Sequence, residues 1–149
     1  MLRSLIATLT LLAWASYGDD AVIGSYYAVV VRDIEVATAW YESTLGLRVI
    51  SRLNEAGRYD IVNLQGPGVF VELLELADAQ PRPEGLIHGP FKVGMLVDDL
   101  DRYIGRLPAT MPRPEVVEDA ANGLMLFQLH DPDGNVLQVM QVIDATTSP

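Results

Sequence analysis

A chain of 149 residues, half of them hydrophobic, is long enough for one domain with a substantial core. Twenty acidic against ten basic side chains leave a net charge of −10, which argues against a nucleic-acid partner, because such partners demand a basic footprint. With no cysteine, disulfides, thiolate metal sites, thiol nucleophiles and a lipoprotein anchor are excluded, and the two histidines, His88 and His130, cannot form a three-histidine zinc site.

The N-terminus has the three parts of a secretory leader. Arg3 supplies the positive end, Leu5 to Leu12 the apolar run, and Ala13-Trp14-Ala15 the small-x-small cleavage pattern. A signal peptide is expected over residues 1–15, with Ser16 as the first mature residue. The expected location is therefore periplasmic or secreted if the leader is cleaved, and cytoplasmic otherwise. The apolar run is short for a bilayer span, so no stable membrane anchor is expected.

Ser25 to Val31 is rich in β-branched and aromatic residues and reads as a strand. Asp33 is placed to cap a helix through Thr44, whose apolar face is Ala37, Trp40, Tyr41 and Leu45, and Gly46 suits a left-handed ending. Three strands follow, Leu47–Asn54, Arg58–Leu64 and Val69–Leu76, punctuated by Glu55-Ala56-Gly57 and Gly66-Pro67-Gly68. Gln80 to Gly89 reads as a Pro/Gly linker.

The pattern then restarts. Lys92 to Val97 is a strand, Asp98-Asp99 open a helix through Leu107, and Pro108 stops it. A short strand is expected near Glu115–Val117, with Glu118-Asp119 as an acidic loop. A hairpin of Leu124–Leu129 and Val136–Val142 closes on Asp131-Pro132-Asp133-Gly134-Asn135. Both halves thus carry one βαβββ plan, with Asp33 and Asp98 in equivalent places 65 residues apart.

At this point the chain resembles the vicinal oxygen chelate superfamily, which includes glyoxalase I, extradiol dioxygenases and bleomycin-resistance proteins. The matching pieces are Val29–Ile50, Val69–Leu76, Val93–Asp101 and Phe127–Gln141. The resemblance implies an α+β fold of two tandem βαβββ modules forming a cup-shaped half-barrel around a ligand cleft. Module one would span about 25–76, the linker 77–91 and module two 92–143, within a single domain of residues 16–149. It also implies that a homodimer can complete such clefts. The four ligand places of the metalloenzymes would fall on Tyr26, Glu72, Lys92 and Gln138. Only Glu72 is a usual ligand there, and a charged Lys92 cannot ligate at all. No cofactor is therefore expected, with a divalent metal as the alternative.

Strand alternation gathers Tyr26, Ala28 and Val30 on one face, Phe70, Glu72 and Leu74 on another, then Lys92, Gly94 and Leu96, and finally Val136, Gln138 and Met140. If these four sets line one cleft, a few polar groups stand among apolar walls, as a small-molecule site requires. The expected ligand contacts are Tyr26, Ala28, Asn63, Phe70, Glu72, Lys92, Gly94, Gln138 and Met140. Lys92 is expected to pair with Glu72 in the metal's electrostatic role. The leading expectation is a small-molecule binding protein of bleomycin-resistance type, with a cationic or aromatic ligand in view. The alternative is an enzyme: either a cofactorless isomerase or lyase with Glu72 as base and Lys92 or Tyr26 stabilising an enolate, or a metal-dependent glyoxalase-like or dioxygenase reaction.

Overall fold

The computed structural model describes residues 26–81, 83, 85 and 92–143. The leader expected over residues 1–15 and His88 lie outside the described residues. Ten elements follow in order: β1 (Tyr27–Val30), α1 (Ile34–Leu45), β2 (Arg48–Glu55), β3 (Tyr59–Gly66), β4 (Val69–Leu76), β5 (Lys92–Leu96), α2 (Leu100–Ile104), β6 (Val117–Asp119), β7 (Leu124–His130) and β8 (Val136–Val142). They form two βαβββ modules, one sheet each, in the orders β1-β4-β3-β2 and β5-β8-β7-β6. The two sheets are separate, and neither closes.

Local chemistry sets the element ends. Asp33 caps α1 by accepting from the backbone N–H groups of Glu35 and Val36, and Gly46 ends it at φ 67°. In module two the cap is Asp99, whose carboxylate accepts from Arg102 N; Asp98, the expected counterpart, lies one residue too early. The repeat is therefore 66 residues, not 65. Helix α2 stops at Ile104, short of the expected Leu107. Beyond it, Arg106 N donates to Tyr103 O and Leu107 N to Ile104 O, so the chain tightens into i→i−3 turns before Pro108. The short strand β6 lies two residues later than expected and takes in Glu118 and Asp119, which pair with Met125 and Leu124.

One repeated joint fixes each helix to its sheet. Ile34 N donates to Glu75 Oε2 at 2.8 Å, and Leu100 N donates to Gln141 Oε1 at 2.7 Å. Both donors and both acceptors are 66 residues apart. The return of β1 and β5 onto the last strand repeats too: Val31 N bonds Leu74 O, and Val97 N bonds Met140 O.

The core draws on both modules. Val62, Leu64, Val71 and Leu73 from sheet one meet Ala37 and Tyr41 of α1, and the same cluster continues through Leu100, Phe127, Leu137 and Val139. Each fully buried leucine here contributes roughly 1.5–3 kcal/mol against exposure. Polar contacts tie the modules across this core. The Tyr41 hydroxyl donates to Asp131 Oδ2 at 3.1 Å, and the Tyr103 hydroxyl donates to Thr44 O at 3.1 Å. Arg32 Nε reaches Asp133 Oδ1 at 2.5 Å. The sheet faces turned away from this core, buried in the middle and exposed at the rim, carry the candidate site.

Candidate functional site

Pairing register turns the open face of sheet one into rows. Ala28, Glu72, Asn63 and Ser51 form one row, because Ala28 pairs with Glu72, Glu72 with Asn63, and Asn63 with Ser51. Val30, Leu74, Ile61 and Leu53 form the next. Tyr26 and Phe70 stand on the other side of Glu72, their rings edge to face with centroids 5.9 Å apart. The middle of this face is closed over and its rim is not: Asn63 is 4% exposed, whereas Tyr26 is 61% and Val30 49%.

Asn63 Nδ2 donates to Ser51 Oγ at 2.8 Å, but the buried Asn63 Oδ1 receives no hydrogen bond. Among the described residues Glu72 takes part in no ion pair. Sheet one therefore presents two acceptors, side by side, with no donor of their own.

On sheet two the polar side chains meet one another. Lys92 Nζ donates to Gln138 Oε1, and Gln138 Nε2 lies 3.6 Å from Met140 Sδ. Gly94 pairs in register with Gln138 and Leu96 with Met140. A Cβ on Gly94 would stand 3.0 Å from Met140 Cε, so the missing side chain makes room for the methionine over the strand. The expected ion pair between Lys92 and Glu72 is not formed within the chain, since Lys92 is engaged by the Gln138 amide instead. The structure thus gathers the four expected sets two by two. Tyr26, Ala28, Asn63, Phe70 and Glu72 share the face of sheet one, and Lys92, Gly94, Gln138 and Met140 share that of sheet two. His130 is exposed at the end of β7.

The donor set at Tyr26, Glu72, Lys92 and Gln138 does not fit a divalent metal. Glu72 is its only carboxylate, and the Gln138 oxygen that could ligate already accepts from an ammonium group. Among the described residues no three His, Cys, Asp or Glu side chains stand together as metal ligands.

A groove of about 790 Å³ lies elsewhere, at the seam between the modules. Val30, Tyr59 and Leu76 line one side, Arg58 and Glu55 the β2–β3 turn, and Asp133 and Asn135 the far side. Its two arginines are consumed by ion pairs, Arg32 with Asp133 and Arg58 with Glu55. We favour the open face as the site, because the unpaired Asn63 oxygen and the Glu72 carboxylate stand together there, whereas the charged groups of the groove include two arginines already held in ion pairs.

The seam itself was invisible to sequence reasoning. The Asp-Pro-Asp-Gly turn was legible as a turn, but its role as acceptor for Tyr41 and Arg32 depends on contacts across about a hundred residues. Burial, with the Asp131 charge adding to it, pushes the Tyr27 and Tyr41 hydroxyls well above the ordinary tyrosine range. Tyr103 is pushed up to about 12 by burial alone.

The family model for the Glyoxalase/Bleomycin resistance protein/Dioxygenase superfamily matches residues 25–139. The chain belongs to this superfamily. A solved glyoxalase family protein from Enterococcus faecalis is similar in fold, with a TM-score of 0.65 at 18% identity over 77% of this chain and 94% of that one. The trypanothione-dependent glyoxalase I of Leishmania major superposes with a TM-score of 0.57 at 17% identity, over 78% and 84% of the two chains. An uncharacterized protein of Bacillus subtilis, YwbC, is 24% identical over 119 residues, 76% of this chain and 92% of its own length. Within the superfamily fold, the positions singled out from the sequence lie on the sheet faces turned away from the core.

Proposed function

We propose that this superfamily member binds a small organic molecule without a metal ion, in a cleft that two copies of the chain complete together. The observation that carries the metal-free part is the hydrogen bond from Lys92 Nζ to Gln138 Oε1. A resident ammonium group at that place repels a divalent ion and removes one of its oxygen donors.

The two-copy part is supported by topology. Strands β1 and β5 are edge strands of their sheets, and each carries an exposed apolar residue on its open face, Val30 at 49% and Leu96 at 69%, with the exposed Lys92 opening β5. An exposed apolar edge of this kind invites pairing with a second strand. Setting β1 of one copy beside β5 of the other joins the two open faces into one cup. Glu72 then shares a cleft with Lys92 of the second copy, which is the pairing that a single chain does not make. The leader-like N-terminus supports export of the mature protein.

Metal analysis of purified protein, followed by thermal-shift titration with divalent metals and a small-molecule panel, tests this reading. The expected result is no stoichiometric metal and a raised melting temperature with at least one organic compound, recovered unchanged. Tight metal at one per site would overturn it, and a compound recovered as product would replace binding with catalysis. N-terminal sequencing of protein from the native host reads out whether Ser16 is the first mature residue.

A further inference from the structure

Sheet two holds a template for what sheet one lacks. There, the Lys92 ammonium lies against the Gln138 oxygen. The equivalent places on sheet one, 66 residues earlier, are Tyr26 and Glu72. The acceptor is kept and now carries a full negative charge, while the cation is replaced by an aromatic ring.

Two further features point the same way. Asn63, in register with Glu72 and 96% buried, holds Oδ1 without a donor. A buried amide oxygen left unpaired is costly, and a bound N–H group that displaces the side chains covering Asn63 Oδ1 removes that cost. The Tyr26–Phe70 pair stands one row away with Tyr26 exposed, and aromatic faces attract cations. Carboxylate, orphan carbonyl oxygen and aromatic rings together call for positive charge with N–H groups attached. An anion meets Glu72 unfavourably, and a quaternary ammonium leaves Asn63 unpaired.

We propose that Glu72, Asn63 and the Tyr26–Phe70 pair form a subsite for an organic cation bearing N–H groups, an ammonium or amidinium, as part of the bound molecule. The ligand supplies to sheet one the cation that Lys92 supplies to sheet two. This rests on the small-molecule reading above.

The test uses benzamidinium and benzylammonium against benzyl alcohol and benzoate, with the isotope-labelled full chain and the Asn63 side-chain amide signals as readout. Both cations should shift those signals saturably, and benzoate should not. Glu72→Gln, nearly isosteric, should weaken the cations about tenfold. Tyr26→Leu, at a position 61% exposed, should weaken them several-fold and serves if Glu72→Gln fails to fold. Benzyl alcohol or benzoate binding as well as the cations, or cation binding indifferent to both substitutions, overturns the subsite and leaves small-molecule binding standing. Failure of all four probes overturns the subsite; failure of the wider panel as well overturns both readings.

Discussion

The Tyr41 hydroxyl and the Asp131 carboxylate meet at 3.1 Å across ninety residues of sequence, both buried, and join the helix of module one to the β7–β8 turn of module two. Asp131 also accepts from the backbone N–H groups of Asp133 and Asn135 and from the Asn135 amide. Tyr41→Phe removes one donor from a buried carboxylate while keeping the ring packed. The expected cost is about 1–3 kcal/mol. Urea unfolding checks it, with a lower midpoint at unchanged slope.

One buried tyrosine, Tyr41, and two partly buried ones, Tyr27 and Tyr103, make the fold sensitive to alkali. The Tyr103 hydroxyl is raised to about 12, and those of Tyr27 and Tyr41 are raised as well. Below about pH 10, the ordinary tyrosine value, these groups are protonated in both folded and unfolded chains and stability is at its full value. Above it the unfolded chain releases protons that the folded one retains, so stability falls as pH climbs through about 12. Unfolding midpoints measured across this range should decline, and Tyr103→Phe should flatten the decline.

A close contact gives a steric prediction. A Cβ on Gly66 would stand 2.7 Å from Leu47 Cδ2, and Leu47 is itself buried. Gly66→Ala therefore overpacks the end of β3 and should cost about 1–3 kcal/mol, read as a lower thermal midpoint. Gly94→Ala meets only the flexible end of Met140 and should cost less.

Association should be separable from folding. Leu96 is 69% exposed in the single chain, so Leu96→Asp leaves the core untouched. Sedimentation should show a dimer for the wild type and a monomer for Leu96→Asp, with the same circular dichroism. A monomeric wild type would remove the two-copy cleft.

Much of the fold was legible because its signals are local. Asp33 and Gly46 bracket α1 as capping chemistry requires, and period-two alternation grouped Ala28 with Val30 and Glu72 with Phe70 and Leu74, while the row Ala28-Glu72-Asn63 came from the register. The errors were local too. Two adjacent aspartates offered two caps, and choosing between Asp98 and Asp99 needs the backbone dihedrals, with Asp99 extended at φ −148°. What strand patterns could not reveal was partnership at a distance. Lys92 turned to Gln138 on its own sheet rather than to Glu72, since face membership does not say which faces meet. The unpaired Asn63 oxygen was likewise beyond reach, because it is defined by the absence of a neighbour.

The 66-residue offset also sorts positions by task. Those that lock helix to sheet do the same job in both halves, with Asp33 matched by Asp99 and Glu75 by Gln141. Those on the open faces differ in charge, Tyr26 standing opposite Lys92 and Glu72 opposite Gln138 in the repeat. The two modules are therefore alike where a helix is locked to its sheet and unlike on the faces that carry the candidate site.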